Sequence, residues 1–133
     1  MAYAEILDDE RKETAAAFWR RANAFFQSLG VTVSAVMTDN GSCCRSRAFN
    51  EALIGAVKHW YTRPYRPQTN GKVERFNRTL AAEWAYARPY TSETEREAAY
   101  ATWIHHYNHH RPHTGIKGLT PAQRVHNLTG KYN

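Results

Sequence analysis

The chain has 133 residues, 42% of them hydrophobic and 13% aromatic, which is enough apolar material for the core of one ordinary domain and excludes a disordered chain. No apolar run approaches the roughly 18 residues of a membrane span, and Met1 to Glu5 lacks both parts of a signal peptide, so we expect a cytoplasmic protein. Eighteen Lys and Arg against twelve Asp and Glu give a net charge of +6, which favours DNA, RNA or an anionic surface as the partner.

The first third of the chain predicts a strand followed by a helix. Tyr3 to Leu7 alternates weakly between apolar and polar residues, as a strand does. Asp8 or Asp9 can cap a helix that runs to about Leu29, and Gly30 is placed to end it. The apolar residues of this helix share one face: Phe18, Ala22, Phe25, Phe26 and Leu29.

Two short apolar segments then predict parallel strands. Val31 to Met37 is β-branched and apolar, as a buried strand is, and His59 to Thr62 is the second candidate. Ser46 can cap a helix between them, and the order strand, helix, strand favours a parallel pair in an α/β layer. Asp39 opens a turn and would therefore lie at the carboxyl end of a strand, where ligand sites of such sheets gather.

A proline-containing segment and a long helix come next. Pro64 and Pro67 make the segment irregular, because proline removes backbone donors. In the helix, Glu74 and Arg78 are one turn apart and project toward one neighbourhood. The adjoining face is an apolar stripe: Val73, Phe76, Leu80 and Trp84.

Two further elements complete the predicted order. Ser92 and Glu95 form a capping-box signature for another helix, which also carries Trp103, and Thr120-Pro121 begins a last short turn. Two histidine pairs in the helix have the i, i+4 spacing that can present imidazoles to zinc: His105 with His109, and His106 with His110. No acid or thiol nearby completes a zinc set, so we interpret these residues as cations near the last carbonyls of the helix.

The positive charge is concentrated between Lys58 and Arg78, where Glu74 is the only acid among six Lys and Arg. A solvated face is the ordinary interpretation of such a run, and a nucleic-acid surface is the alternative. Trp60 in this stretch is predicted to pack in the core. Tyr65 can either pack or stack on an unpaired base.

Asp39 and Glu74 together carry the chemical interest of the sequence. Hard carboxylate oxygens suit divalent ions, and two such ions about 4 Å apart support phosphoryl transfer on a nucleic-acid backbone. Each acid also has a structural explanation, since Asp-Asn-Gly is a favourable turn and a glutamate in a first helical turn is stabilised by the helix dipole. Taken singly, each acid is better explained by structure.

The segments around both acids change that balance. TDNG, PYRPQTNGKVERFNRTL and YNHHRPHTGIKGLTPAQRV closely resemble the catalytic core of bacterial insertion-sequence transposases, which are relatives of retroviral integrases. The resemblance covers about residues 2–126 and implies a single, partial, RNase H-like α/β domain with carboxy-terminal helices. It implies an Asp-Asp-Glu triad that binds two Mg²⁺ or Mn²⁺ ions and cuts and joins DNA, with Asp39 as the second acid and Glu74 as the third. It also implies a DNA-binding surface next to the metals: Arg66, Asn70, Gly71, Lys72, Arg75, Asn77 and Arg78.

The first acid of that triad has no counterpart in this chain. The family carries it on the first strand of the sheet, further ahead of the second acid than the 38 residues that precede Asp39. The segment AYAEIL resembles the third strand, so we expect the first two strands to be missing. We therefore expect weak metal binding, little strand transfer by the chain alone, and pairing of the exposed edge of Val31 to Met37 with another chain.

Two functions follow from the resemblance. The first is a fragment of a DDE transposase whose intact form catalyses Mg²⁺-dependent DNA cleavage and strand transfer. The second is a non-catalytic remnant that binds DNA or other transposase chains through the surface from Lys58 to Arg78, with salt-sensitive affinity. Either would lie at the bacterial nucleoid when bound to DNA, and neither has a small-molecule substrate.

Overall fold

A computed structural model describes residues 1–53, 55, 57–62 and 71–128, with the backbone alone at 127 and 128. The residues group into two compact units. We call Ala4–Gly71 the strand unit, and Met1–Tyr3 with Lys72–Asn133 the helical unit. None of the helices in the described ranges combines the length and apolarity needed to cross a membrane.

Helix α1, Lys12–Ser28, ends on the predicted signal, but the predicted cap at Asp8 or Asp9 was wrong, because the N-cap residue is Arg11, whose side chain makes no capping hydrogen bond. The Asp9 carboxylate precedes it and accepts a hydrogen bond from the Thr14 hydroxyl at 2.6 Å. At the other end Gly30 has φ 77, and its N–H donates to the carbonyl of Gln27 at 2.9 Å. Glycine adopts this left-handed conformation without steric cost, so the predicted end of the helix is confirmed.

Residues 3–7 do not form the predicted strand, and this prediction was wrong. The sheet of the described residues has two strands, and neither pairs with this segment. An extended segment without a neighbouring strand lacks the hydrogen bonds that define a ladder. Side chains hold the ends of the segment instead: Asn108 exchanges two hydrogen bonds of 2.8 Å with the backbone of Ala2, and Glu5 pairs with Arg21 at 2.8 Å.

Strands β1, Ala35–Thr38, and β2, Lys58–Tyr61, pair in parallel. The parallel arrangement is confirmed, and β1 begins four residues later than the start predicted at Val31. Between the strands lies helix α2, Arg47–Ala52, which is capped as predicted because the Ser46 hydroxyl accepts from the Phe49 N–H at 3.1 Å.

The core of the strand unit lies between α1 and α2. The indole of Trp19 donates to the carbonyl of Ala52 at 3.0 Å. The buried residues of this core are Ala16, Trp19, Phe49, Ala52 and Leu53, with Val33, Val36 and Val57 packed against them.

Trp60 is exposed, so its predicted place in the core was wrong. Side chains of a strand alternate between its two faces, and His59 occupies the β2 position that contacts the core ring of Phe49. Trp60 therefore points to the opposite face of the sheet, where 56% of it is exposed.

The helical unit contains α3, Gly71–Leu80, a π-helical turn, Ala81–Ala85, and α4, Glu93–His109. A 3₁₀ turn at Thr114–Ile116 leads to α5, Pro121–Leu128. The turn predicted at Thr120-Pro121 is thus the start of a helix.

Aromatic rings form the core of the helical unit. Trp84 and Trp103 are 7% and 8% exposed, which confirms that both pack in the core. The Trp84 indole donates to the carbonyl of Arg96 at 2.9 Å, so its polar edge is satisfied as a buried indole requires. Phe76 and Tyr107 pack edge to face, with ring centres 5.2 Å apart.

The predicted capping box of α4 is only partly formed. The Ser92 hydroxyl accepts from the Glu95 N–H at 3.1 Å, as predicted. The Glu95 carboxylate does not return to Ser92 but accepts from the backbone N–H of Thr91 at 2.7 Å and from Arg88 at 2.7 Å.

Candidate functional site

Asp39 directly follows β1, at the carboxyl end of the two-stranded sheet. Its Oδ1 accepts a hydrogen bond from the Gly41 N–H at 2.8 Å, which holds the carboxylate in a turn. A Cβ atom at position 41 would lie 2.9 Å from this oxygen, so glycine leaves the room that the turn requires. Oδ2 has no hydrogen-bond partner in the described part of the chain, which leaves one oxygen available to a cation.

A hydrogen-bond network supports the turn from β2 and α2. Nδ1 of His59 lies 2.7 Å from Oδ1 of Asn50, an oxygen that can only accept, so Nδ1 carries a proton and donates. Nε2 of the same ring lies 2.7 Å from the Thr38 hydroxyl, and Asn40 donates to the carbonyl of Thr62 at 2.7 Å. Burial lowers the pKa of His59, which favours a neutral ring.

The sequence alone did not single out this network. The relevant signal is the alternation of side chains along a strand. His59 is the register partner of Val36, and Thr38, two positions further along β1, lies on the same face as Val36. Register between strands was needed to bring the two residues together.

Glu74 lies in the first turn of α3 and is exposed. Within the ranges that the structure describes, no hydrogen bond or ion pair includes its carboxylate. The amino-terminal end of a helix stabilises a negative charge, so this position suits an acid that binds a cation. Asp39 belongs to the strand unit and Glu74 to the helical unit, and their sharing of a cation stays a prediction.

The residues predicted to bind DNA divide between two faces of α3. Successive residues of a helix turn by about 100°, which places Asn77 and Arg78 within about 60° of Glu74, Arg75 about 100° from it and Lys72 about 160° from it. All four polar side chains are exposed. Gly71 is the first residue of the helix, and Arg66 and Asn70 lie outside the described residues.

No group of three or more His, Cys, Asp or Glu side chains in the described ranges could hold a metal ion. The predicted histidine pairs at the end of α4 lie close together, with tilted rings and centres 4.7 Å apart for His105 and His109, and stacked rings 6.2 Å apart for His106 and His110. A divalent ion at Asp39 or Glu74 would therefore depend on at most two acids from these ranges.

The chain matches a family of known sequences and, among other relatives, an insertion-element protein. Residues 55–121 match the integrase core domain family, a segment that includes Glu74 and most of the helical unit. The chain is also 30% identical over 90 residues to the insertion element IS407 uncharacterized 31.7 kDa protein of Burkholderia multivorans. That alignment covers 67% of this chain and 32% of the relative, so the chain spans about a third of the relative's length.

Two solved structures are similar in fold. A chain of the simian T-cell lymphotropic virus intasome, solved in complex with PP2A regulatory subunit B56 gamma, superimposes with a TM-score of 0.65 and 25% identity, over 88% of this chain and 41% of that one. The catalytic core domain of BIV integrase superimposes with a TM-score of 0.65 and 22% identity, over 98% of this chain and 82% of that one.

Proposed function

This chain belongs to the integrase core domain family, and from that membership we propose that it forms part of the catalytic core of a DNA transposase. Its fold is the RNase H-like α/β fold of integrase catalytic cores, as predicted. The observation that carries the proposal is the availability of its two acids. Asp39 directly follows β1 and has one carboxylate oxygen without a partner among the described residues. Glu74 lies in the first turn of α3, and its carboxylate has no partner among the described side chains.

The proposed role of both acids is to hold Mg²⁺ or Mn²⁺. Carboxylate oxygens are hard ligands of the kind these ions prefer, and the turn at Gly41 fixes one oxygen of Asp39 so that the other keeps a defined direction. Bound ions would supply activation of a water or a DNA 3′ hydroxyl and neutralisation of the phosphorus under attack. Asn77 and Arg78 share the Glu74 face of α3, where they would bind and orient the DNA backbone.

A third carboxylate would come from a segment outside this chain. The chain spans about a third of its insertion-element relative, so an intact protein of that kind has room for it. With two acids alone we propose weak metal binding and little or no strand transfer. In bacteria the assembled protein would act in the cytoplasm, on nucleoid DNA.

The second candidate function is a non-catalytic remnant that binds DNA or associates with other transposase chains. The exposed sheet face of Met37 and Trp60 favours it, because an apolar face of a two-stranded sheet is stabilised by a partner. This candidate needs no metal. Substituting the two acids should therefore leave its DNA binding unchanged, whereas it should remove the metal effect that the first candidate requires.

The test is DNA binding and joining with the purified chain. A labelled duplex with a free 3′ hydroxyl is incubated with Mg²⁺ or Mn²⁺, and both joined product and DNA affinity are measured. We expect no joined product, and a DNA affinity that Mn²⁺ raises in the natural chain but not in Asp39→Asn or Glu74→Gln. An Mn²⁺ effect that survives both substitutions would remove the metal role, and Mg²⁺-dependent joining would show that two acids suffice.

A further inference from the structure

The helical unit contains a cleft of about 930 Å³ on the side of α3 that faces away from Glu74. Its lining includes Lys72, Arg75 and Thr79 of α3, Arg111 after α4, and Arg124 of α5. The ring of Tyr107 also lines it. The lining residues are all described, and none of them is Asp or Glu.

The charge of this cleft is largely uncompensated. Among the described residues, no ion pair includes Lys72, Arg75 or Arg124. Arg111 is the exception, since it pairs at 2.9 Å with Glu83, an acid that does not line the cleft. Cations held together without acids on a concave surface focus a positive potential that attracts an anion.

His113, in the segment after α4, also lines the cleft. Burial lowers the pKa of His113, the positive charges of Arg111, the amino terminus and Arg75 lower it further, and Glu83 acts in the opposite direction. Nε2 of His113 is buried and has no hydrogen-bond partner in the described part of the chain. Leaving a buried polar atom unpaired is unfavourable.

We propose that this cleft is a binding site for the sugar–phosphate backbone of an unpaired nucleic-acid strand, separate from the strand engaged at Glu74. The choice of nucleic acid over another polyanion rests on the proposed function. A concave space lined by cations from several elements can enclose a single strand, whereas a duplex presents only its outer phosphates to the rim. Tyr107 adds an aromatic surface, as single-strand sites commonly have beside their cationic groove.

Gly115 offers a way to test the site without disturbing the fold. It lines the cleft, and a Cβ atom there would meet nothing within 4 Å. Gly115→Glu therefore adds a negative charge to the cleft, and Gly115→Gln adds the same bulk without the charge.

Binding of a fluorescent 12-mer single strand is measured by anisotropy across a salt series, without divalent metal. Gly115→Glu is expected to weaken binding severalfold and Gly115→Gln to leave it unchanged. Arg124→Gln should also weaken binding and reduce the slope of log affinity against log salt by about 0.7, the value for one phosphate contact on a single strand. Arg20→Gln, an equal loss of charge on α1, should change neither the affinity nor the slope.

Three results would overturn the site: Gly115→Glu and Gly115→Gln binding alike, Arg124→Gln keeping the full salt slope, or pyrophosphate competing as strongly as the 12-mer. A duplex that binds more tightly than the single strand would also contradict it. Because no divalent metal is present in this assay, failure of the cleft is distinguishable from failure of the metal site.

Discussion

Met37 and Trp60 are register partners on neighbouring parallel strands, and 51% and 56% of these residues are exposed. The opposite face of the same sheet packs against α1 and α2 through Val36. The sheet is thus covered on one face only. A parallel sheet is ordinarily covered on both, so the open face offers a second surface for association with another chain, beside the strand edge on which that association was predicted.

Trp60→Thr should weaken self-association. Threonine suits a strand, so the substitution removes the apolar surface without opposing β2. Covering a half-exposed tryptophan contributes about 1.4 kcal/mol, so the dissociation constant should rise about tenfold. Sedimentation velocity over a concentration series measures this change, with Tyr86→Thr as the control because Tyr86 is 83% exposed in the helical unit. A natural chain that stays monomeric at every concentration would contradict the prediction.

Gly41→Ala should impair the metal site without removing an acid. The added Cβ would lie 2.9 Å from Oδ1 of Asp39, so the carboxylate must move and lose its hydrogen bond to the residue 41 N–H. The clash is with a side-chain tip, so stability should change by less than about 1 kcal/mol. We expect Mn²⁺ affinity, measured by water-proton relaxation, to fall several-fold. An unchanged affinity together with unchanged stability would show that this turn does not set the direction of Asp39.

Glu95 should make the start of α4 sensitive to acid. Hydrogen bonds from Thr91 and then from Arg88 lower the pKa of Glu95 from 4.5 to about 2. A carboxylate with a depressed pKa stabilises the folded state above its unfolded pKa, and this contribution is lost as the pH falls from about 4.5 to about 2. Glu95→Gln lacks it at every pH.

The measurement is thermal unfolding, followed by circular dichroism between pH 6 and pH 2. The melting temperature of the natural chain should fall further over this range than that of Glu95→Gln. The control is Glu97→Gln, which removes an exposed acid on the same helix and should show the same fall as the natural chain. Parallel pH profiles for the natural chain and Glu95→Gln would be incompatible with the prediction.

Glu83→Gln should destabilise the helical unit. Burial raises the pKa of Glu83, but the hydrogen bonds from Arg111 and Trp103 outweigh it and hold that pKa below its ordinary value. One oxygen accepts from the Trp103 indole at 3.1 Å and the other from Arg111 at 2.9 Å. A neutral amide cannot accept through both ends, so we expect a loss of about 1–2 kcal/mol in urea unfolding monitored by tryptophan fluorescence. A change within 0.5 kcal/mol of zero, the usual range for a surface substitution, would contradict this role.

Local signals in the sequence predicted the features that depend on a few neighbouring residues. Gly30 ends α1, Ser46 and Ser92 cap their helices, and Asp39 follows a strand, because each depends on turn or cap chemistry within four residues. Trp84 and Trp103 were predictable from their spacing, since a large apolar stripe on a helix is usually buried.

Features that depend on distant partners were not predictable. The segment of residues 3–7 has the alternation of a strand but no neighbouring strand with which to pair. Trp60 is of a residue type that usually packs in a core, but it lies on the uncovered face of the sheet. Arg124 joins the cleft only because α5 lies near α3, and no spacing in the sequence connects it to Lys72.

Paramagnetic broadening by Mn²⁺ tests the sharing of a cation by Asp39 and Glu74 most directly. In an amide NMR titration, Mn²⁺ should broaden signals around both residues over the same concentration range. Asp39→Asn and Glu74→Gln should each abolish both sets of effects, while Glu51→Gln should abolish neither. Two sets of broadening with different midpoints, or one set that persists when the other acid is removed, would show that the two carboxylates do not hold a common ion.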